Sequence, residues 1–367
     1  MGKRTGRMAF LSGTSERTGD ESRVNITVRP MKKEEAEIVR QIGKRAFSGI
    51  ERMLLGKPKQ ACVAEKDGTI VGAVYYKITM LGRKKTAYLE YGFVDPEHQG
   101  QGIGSRLYKG TIDYMWSLGC EALTAQVKGD NARSFEPLMK NGFARAGIFE
   151  LIHRLGLIGM LTQFFLNIFW LCIGMDFYLA VKKTEVRGKK NSLTQLFWYL
   201  LVNLILGSFA LFRMGDMVSF LTAYLLLLLG QAAVGGMMTI LCKGKWKFRM
   251  NNGGAGIAAI VNVLSGIFPM CGGWYPPSYE KGSGVKKELG MVEMSEWIFL
   301  LLVTAASVRL GAVGMIFYDA AWIGGILLLY RILAVYPFEG FGGRRVYEWN
   351  RAVYGILTAL SLLVMFV

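Results

Sequence analysis

Residues 87–118 leave this chain few ways to fold. An apolar run, Ala87-Tyr88-Leu89-Glu90-Tyr91-Gly92-Phe93-Val94, has the composition of a strand. Asp95-Pro96-Glu97-His98 turns the chain, and glycines follow at 100, 102 and 104. A helical pattern then runs from Ser105 through Leu107 and Tyr108 to Leu118. A strand, glycine-rich turn and helix in that order leave backbone N–H groups without partners at the positive end of a helix dipole. Glycine permits positive φ and close approach of a ligand to the backbone. The physical reading is a diphosphate cradle. No Gly-Lys-Ser/Thr follows, so this is not a nucleoside-triphosphate loop. The Gly-x-Gly-x-Gly order also departs from the Gly-x-Gly-x-x-Gly dinucleotide fingerprint. Glycine spacing alone also fits a plain surface loop.

The surrounding pattern adds to the reading. Residues 25–30 read as a strand ending at Pro30, and 34–47 have helical spacing through Ala36, Val39, Ile42 and Ala46. Strand-like runs at 61–65 and 69–76 bracket Lys66-Asp67-Gly68, a hairpin signal. Residues 121–128 read as another strand. Asn131 then leads a helix that closes on Gly142-Phe143.

Gln99-Gly100-Gln101-Gly102-Ile103-Gly104, with its lead-in YLEYGFVDPEH, resembles the acetyl-CoA loop of the GNAT N-acetyltransferases. The stretch from Asn131 to Phe143 resembles that family's next signature, and the likeness covers residues 24–183. It implies an α/β fold, a mixed, twisted central sheet with flanking helices, and acetyl-CoA as cosubstrate. Gln99, Gly100, Gln101, Gly102, Ile103, Gly104 and Ser105 would hold the diphosphate. Phe93 and Val94 would pair with the pantetheine through their backbone, and Asn131 would contact the same arm. The family needs no covalent enzyme intermediate, so no nucleophilic cysteine is expected. Acetyl transfer still requires a base for the amine and an acid for the leaving thiolate. Glu90 is the candidate base. It stands four residues before Val94, on the same face of an unbroken strand; a surface carboxylate is the alternative. Family members carry a tyrosine seven residues after the Asn, where this chain has Leu138. The acid role therefore falls to Tyr108, to Tyr91 or to solvent. His98 reads as an exposed loop residue or a phosphate contact, and His153 has no partner in sequence.

From Leu155 onward long apolar runs dominate. The net charge of +17 sits in short basic clusters beside them, which points to an anionic membrane face and away from nucleic acid. Five scattered cysteines without CxxC indicate neither a disulfide framework nor a thiolate metal site. Residues 1–23 read as a disordered basic arm. An apolar insert, 151–174, is either an extra helix pair packed on the core or a helix lying in the membrane interface. A basic linker, 184–194, follows, and residues 195–367 read as an all-α, multi-pass transmembrane domain of five or six helices. Apolar runs at 196–212, 217–242, 254–271, 297–330 and 352–367 carry this count, since a span needs about 20 residues. The fourth run is too long for one helix, and Arg309, Gly311 and Gly314 mark a break within it. Gln195, Asn203, Asp216, Gln231, Asn262 and Asp319 are polar within or beside the spans, and serve either function or helix packing.

Two stretches of this half resemble site-2-protease-like membrane metallopeptidases: Gly230 to Arg249, and Tyr336-Pro337-Phe338-Glu339-Gly340 with its trailing Trp349-Asn350. The zinc helix His-Glu-x-x-His is missing, and no histidine follows His153. A degenerate domain that binds no metal, kept as an anchor or client-binding scaffold, is implied.

Two functions follow. The first is an N-acetyltransferase anchored in the cell membrane with its GNAT domain cytoplasmic, acting on an unidentified primary amine. The second is a non-enzymatic pseudoprotease that binds membrane-protein clients and senses acetyl-CoA.

Overall fold

The computed structural model describes residues 26–81, 84–129, 131–165, 174–182, 191–209, 216–242, 245–264, 266–276, 283–335 and 338–366. The expected arm, 1–23, and most of the linker lie outside the described residues, as do Trp170, Tyr336 and Pro337.

The N-terminal half runs β1 (Ile26–Pro30), α1 (Ala36–Ala46), α2 (Gly49–Leu54), β2 (Ala61–Lys66), β3 (Thr69–Leu81), β4 (Lys84–Val94), α3 (Ile103–Ser117), β5 (Ala122–Lys128), α4 (Ala132–Lys140), β6 (Ala144–Ala146), α5 (Ile148–Phe165) and β7 (Met175–Val181). The seven strands form one mixed sheet in the order β1-β2-β3-β4-β5-β7-β6. Asp67 and Gly68 both have positive φ, at 51° and 79°, as a tight turn between β2 and β3 demands. Among the described strands only β4 and β5 pair in parallel, because α3 crosses over between them.

Alternation in the strands supplies two cores. On one face Leu107, Ile112 and Met115 of α3 pack with Val74, Leu89, Leu123 and Ala125. On the other, Val39 and Ile42 of α1 pack with Tyr75, Tyr91 and Phe93. Leu151 and Leu155 of α5 cover Phe177 and Leu179 on that second face. The described part of the insert therefore lays one side of α5 on the core. Its other side leaves Phe149, Leu157, Ile158 and Leu161 exposed.

The C-terminal half runs α6 (Ser192–Phe209), α7 (Met217–Leu241), β8 (Lys247–Met250), α8 (Ala255–Val263), β9 (Gly272–Tyr275), α9 (Ser283–Leu310), α10 (Met315–Ile332), α11 (Gly343–Trp349) and α12 (Arg351–Phe366). Four of these, α6, α7, α9 and α10, are long and apolar enough to cross a membrane; α12 has 16 residues. The run 297–330 breaks between Leu310 and Met315, where Gly311 and Gly314 stand. The apolar run 254–271 is not one long helix. Nine residues form α8, and a buried, non-helical segment follows, held by two asparagines. Asn262 donates to Phe268 O (2.7 Å), and Asn203 accepts from Met270 N (2.8 Å). Irregular backbone inside an apolar bundle persists only when its polar groups are met. That is the work of these two side chains. Asp216 caps α7, and Asp319 accepts from Ser219 (2.6 Å).

Gly343 shows how tightly the helical half closes. A Cβ at this position would overlap the Arg331 carbonyl oxygen, which is backbone and cannot step aside. Gly343→Ala is expected to lower stability by about 1–3 kcal/mol, read as a drop in the melting midpoint of the detergent-solubilised chain.

The two halves share a core. Cys242, Trp246, Tyr275, Leu289 and Val292 belong to the cluster that includes Leu123, Val127 and Tyr178. Gly129 lies so close to Tyr275 that a Cβ would come within 2.8 Å of its ring. Asn251 donates to Gly174 O and Asn252 to Ala146 O, each at 2.9 Å.

Candidate active site

The site grows out of the end of β4. Val74 faces Gly92 and Tyr76 faces Leu89, so β4 carries one more residue than β3 across this interval. The extra residue is a β-bulge, and it reverses the faces. Ala87 and Leu89 pack on the α3 side, whereas Tyr91 and Phe93 pack on the α1 side. The strict alternation that sets Glu90 on the face of Val94 is interrupted between them. Glu90 instead reaches Lys77 on β3, with Oε1 2.9 Å from Nζ.

β4 also parts from its other neighbour. Its pairing with β5 runs only from Thr86–Ala122 to Leu89–Ala125. Beyond this the strands splay, and the wedge between them holds a cavity of about 90 Å³. Glu51, Glu90, Tyr91, Tyr108, Gln126, Lys128, Asn131 and Leu138 all line it.

Between the end of β4 and α3, the glycine turn has the conformation its sequence requires. Gly100 and Gly102 have φ of 83° and 73°, and a Cβ at either would meet nothing within 4 Å. Gly104 is helical, and its missing Cβ faces Val94. The first amide to close onto the helix is Arg106 N, bonded to Gly102 O at 3.3 Å. The amides of the turn and first helical turn ahead of it have no helical acceptor. Ile103 is buried and anchors the turn; Ser105 is exposed. Gln99 donates to Val94 O (3.1 Å) and Gln101 accepts from Lys66 (3.0 Å), so both side chains serve the protein. The cradle is backbone. Asp95 holds its base by accepting from Glu97 N and pairing with Arg45.

Tyr108, one helical turn into α3, lies against Gly92; a Cβ there would overlap its hydroxyl. Burial pushes the Tyr108 phenol up to about 12, against a hydrogen bond with Ser134 that lowers it. Its proton is therefore retained at neutral pH. Asn131 accepts from Ser134 N and Phe135 N through its carbonyl and so opens α4. Leu138 is fully buried in the wall. Phe93 is buried among Phe47 and Tyr75. His98 is half-buried beside the turn, and His153 is exposed away from the wedge.

Sequence reasoning misses the far end of the wedge. Lys128 is clamped by Glu51 of α2 (2.7 Å) and by Glu339 of the helical half (2.8 Å). Burial works against the Lys128 ammonium, but the carboxylates of Glu339 and Glu51 outweigh it and hold its pKa above the ordinary lysine value. Lys128 stays charged and cannot act as a base. No local pattern joins residues 128 and 339. A second charged cluster lies among the helices. Arg331 donates to Glu293 (3.2 Å), Glu296 (2.9 Å) and Gln231 (3.0 Å), and Arg345 donates to Glu293 (2.6 Å). Among the described residues no group of three or more His, Cys, Asp or Glu side chains is placed to hold a metal, and Cys62, Cys120, Cys242 and Cys271 are buried free thiols.

Residues 29–143 match the model of the acetyltransferase (GNAT) family. Solved structures similar to this chain include the ribosomal-protein-S18-alanine N-acetyltransferase of Escherichia coli. It is 17% identical with a TM-score of 0.32, over 45% of this chain and 98% of that one. The PaiA N-acetyltransferase of Thermoplasma acidophilum, in complex with coenzyme A, is 16% identical with a TM-score of 0.32, over 43% and 99%. A GNAT family acetyltransferase of Brucella melitensis, in complex with acetyl-CoA, is 16% identical with a TM-score of 0.28, over 46% and 94%. The N-terminal half is thus a GNAT-like mixed sheet, followed by a helical region with four long apolar helices.

Proposed function

We propose that this chain is a membrane-anchored N-acetyltransferase, moving an acetyl group from acetyl-CoA to a primary amine. One observation carries the reading. The amides that lack helical acceptors at residues 100–105 open the same helix that carries Tyr108, and Tyr108 lines the wedge together with Glu90. The backbone of Gly100 to Ser105 suits a diphosphate, and the dipole of α3 adds to its hold. The edge of β4 from Glu90 to Val94 no longer pairs with β5, which leaves backbone groups for the amides of a pantetheine arm. Asn131 lines the same wedge. Bound there, acetyl-CoA would supply an activated acyl carbonyl. Glu90, held by Lys77, accepts the proton that the acceptor ammonium must lose before its amine attacks the acyl carbonyl. Tyr108 keeps its proton and can release it to a leaving thiolate.

The four long apolar helices support membrane anchoring. The basic stretch at 182–190 supports a cytoplasmic wedge by the positive-inside rule. The helical half is read as scaffold. Gln231, on the stretch compared with a zinc helix, meets a guanidinium held by two carboxylates.

The cradle is tested by calorimetry with coenzyme A. Gly102→Val forces a β-branched side chain into positive φ, where L-residues other than glycine are strained by roughly 1–2 kcal/mol or more. It is expected to weaken coenzyme A binding about tenfold or more while the sheet stays folded. Equal affinity in the variant would remove the turn from the site. Leu138 in the cavity wall favours the second reading, a sensor that binds acetyl-CoA without turnover. An acetylated amine in the product mixture rules for the enzyme.

A further inference from the structure

Gln126 is left unused by the chemistry above. It is 6% exposed, and neither Oε1 nor Nε2 has a hydrogen-bond partner among the described residues. Native chains satisfy nearly all such groups. Gln126 lines the wedge and is the first residue of β5 beyond Ala125, the last position paired with β4. Alternation fixes its face. Leu123, Ala125 and Val127 pack on the α3 side, whereas Thr124 donates to Gln163 of α5. Gln126 therefore stands on the face of α1 and α5, away from the helix that the glycine turn caps.

We infer that Gln126 binds the acceptor, and that the preferred acceptor carries a peptide group beside its amine: a protein or peptide N-terminus. The inference rests on the transferase reading of the wedge. A carboxamide offers an acceptor oxygen and two donor hydrogens, the complement of a peptide unit's N–H and C=O. Glu51 and Glu90 outnumber Lys128 among the charged side chains that line the cavity, which favours an entering ammonium. An N-terminal residue sets an amide directly behind its ammonium. A lysine side chain or a polyamine sets methylenes there and would shut the carboxamide in unmet. Sites built to hydrogen-bond a group discriminate sharply against analogues that lack it.

The test uses the full-length chain in detergent, saturated with coenzyme A. Calorimetry compares a tripeptide amide with a free N-terminus, an N-terminally blocked tripeptide containing lysine, and spermidine. Wild type is expected to bind the free N-terminus about 10- to 100-fold more tightly than the other two. Gln126→Leu should lose most of that margin and keep its coenzyme A affinity. It should also melt no lower than wild type, since leucine relieves an unmet polar group. Equal binding of all three by wild type, or a margin that survives Gln126→Leu, overturns the proposal. So does a loss that falls on coenzyme A, or a variant melting well below wild type. Binding is read without turnover. Gln126-dependent peptide selectivity with no acetylated product from any amine would sink the transferase reading alone.

Discussion

Glu90→Gln is expected to lower kcat for acetyl transfer by about 10²- to 10⁴-fold, the range supplied by one positioned acid or base. Coenzyme A affinity should not change, because the cradle is backbone at residues 100–105 and the substitution leaves the backbone of β4 at residue 90 as it was. Glutamine keeps the volume of the cavity wall, so a fall in rate cannot be traced to a hole. It also keeps an oxygen toward Lys77, which is 40% exposed and can turn to water. What the variant loses is the ability to take a proton from an incoming ammonium. Single-turnover measurement with saturating acetyl-CoA separates this step from binding. A rate within the error of wild type would leave Glu90 as a partner of Lys77 and nothing more.

Arg331→Leu is expected to cost about 3–5 kcal/mol of stability. Arg331, Glu293 and Glu296 are each 5% exposed. Glu293 also holds Arg345, but Arg331 is the only cation paired with Glu296 among the described residues. Removing the guanidinium strands a carboxylate among apolar helices, and removing one partner of a buried pair costs more than deleting both. Arg331→Leu combined with Glu296→Gln should therefore melt above Arg331→Leu alone in a thermal unfolding series. A double variant that melts lower still would show that the two charges are not energetically linked.

The glycine turn can be read from the chain itself, because its requirement is local: Gly100 and Gly102 must reach positive φ, and few residues do so cheaply. The hairpin at Asp67-Gly68 is legible for the same reason. The orientation of Glu90 is not, because the bulge depends on how β3 and β4 register, and register is a property of two strands together. Hydropathy likewise fails at residues 254–271. A window average cannot tell a spanning helix from a buried coil, and the distinction rests on Asn203 and Asn262 finding Met270 and Phe268. Those asparagines are visible in the sequence as costly polar residues, but their partners are not. Glu339 stands out as part of Pro337-Phe338-Glu339-Gly340, and only folding shows that it reaches Lys128.

The apolar cluster that runs from Leu123 and Val127 through Tyr275 to Leu289 and Val292 leaves this protein without a seam. Its two halves look like modules on paper, yet neither owns the side chains that cover it. A lineage that shed its helices would uncover the back of its own sheet and free one jaw of the Lys128 clamp in the same stroke. The wedge and the helices beside it therefore stand or fall together.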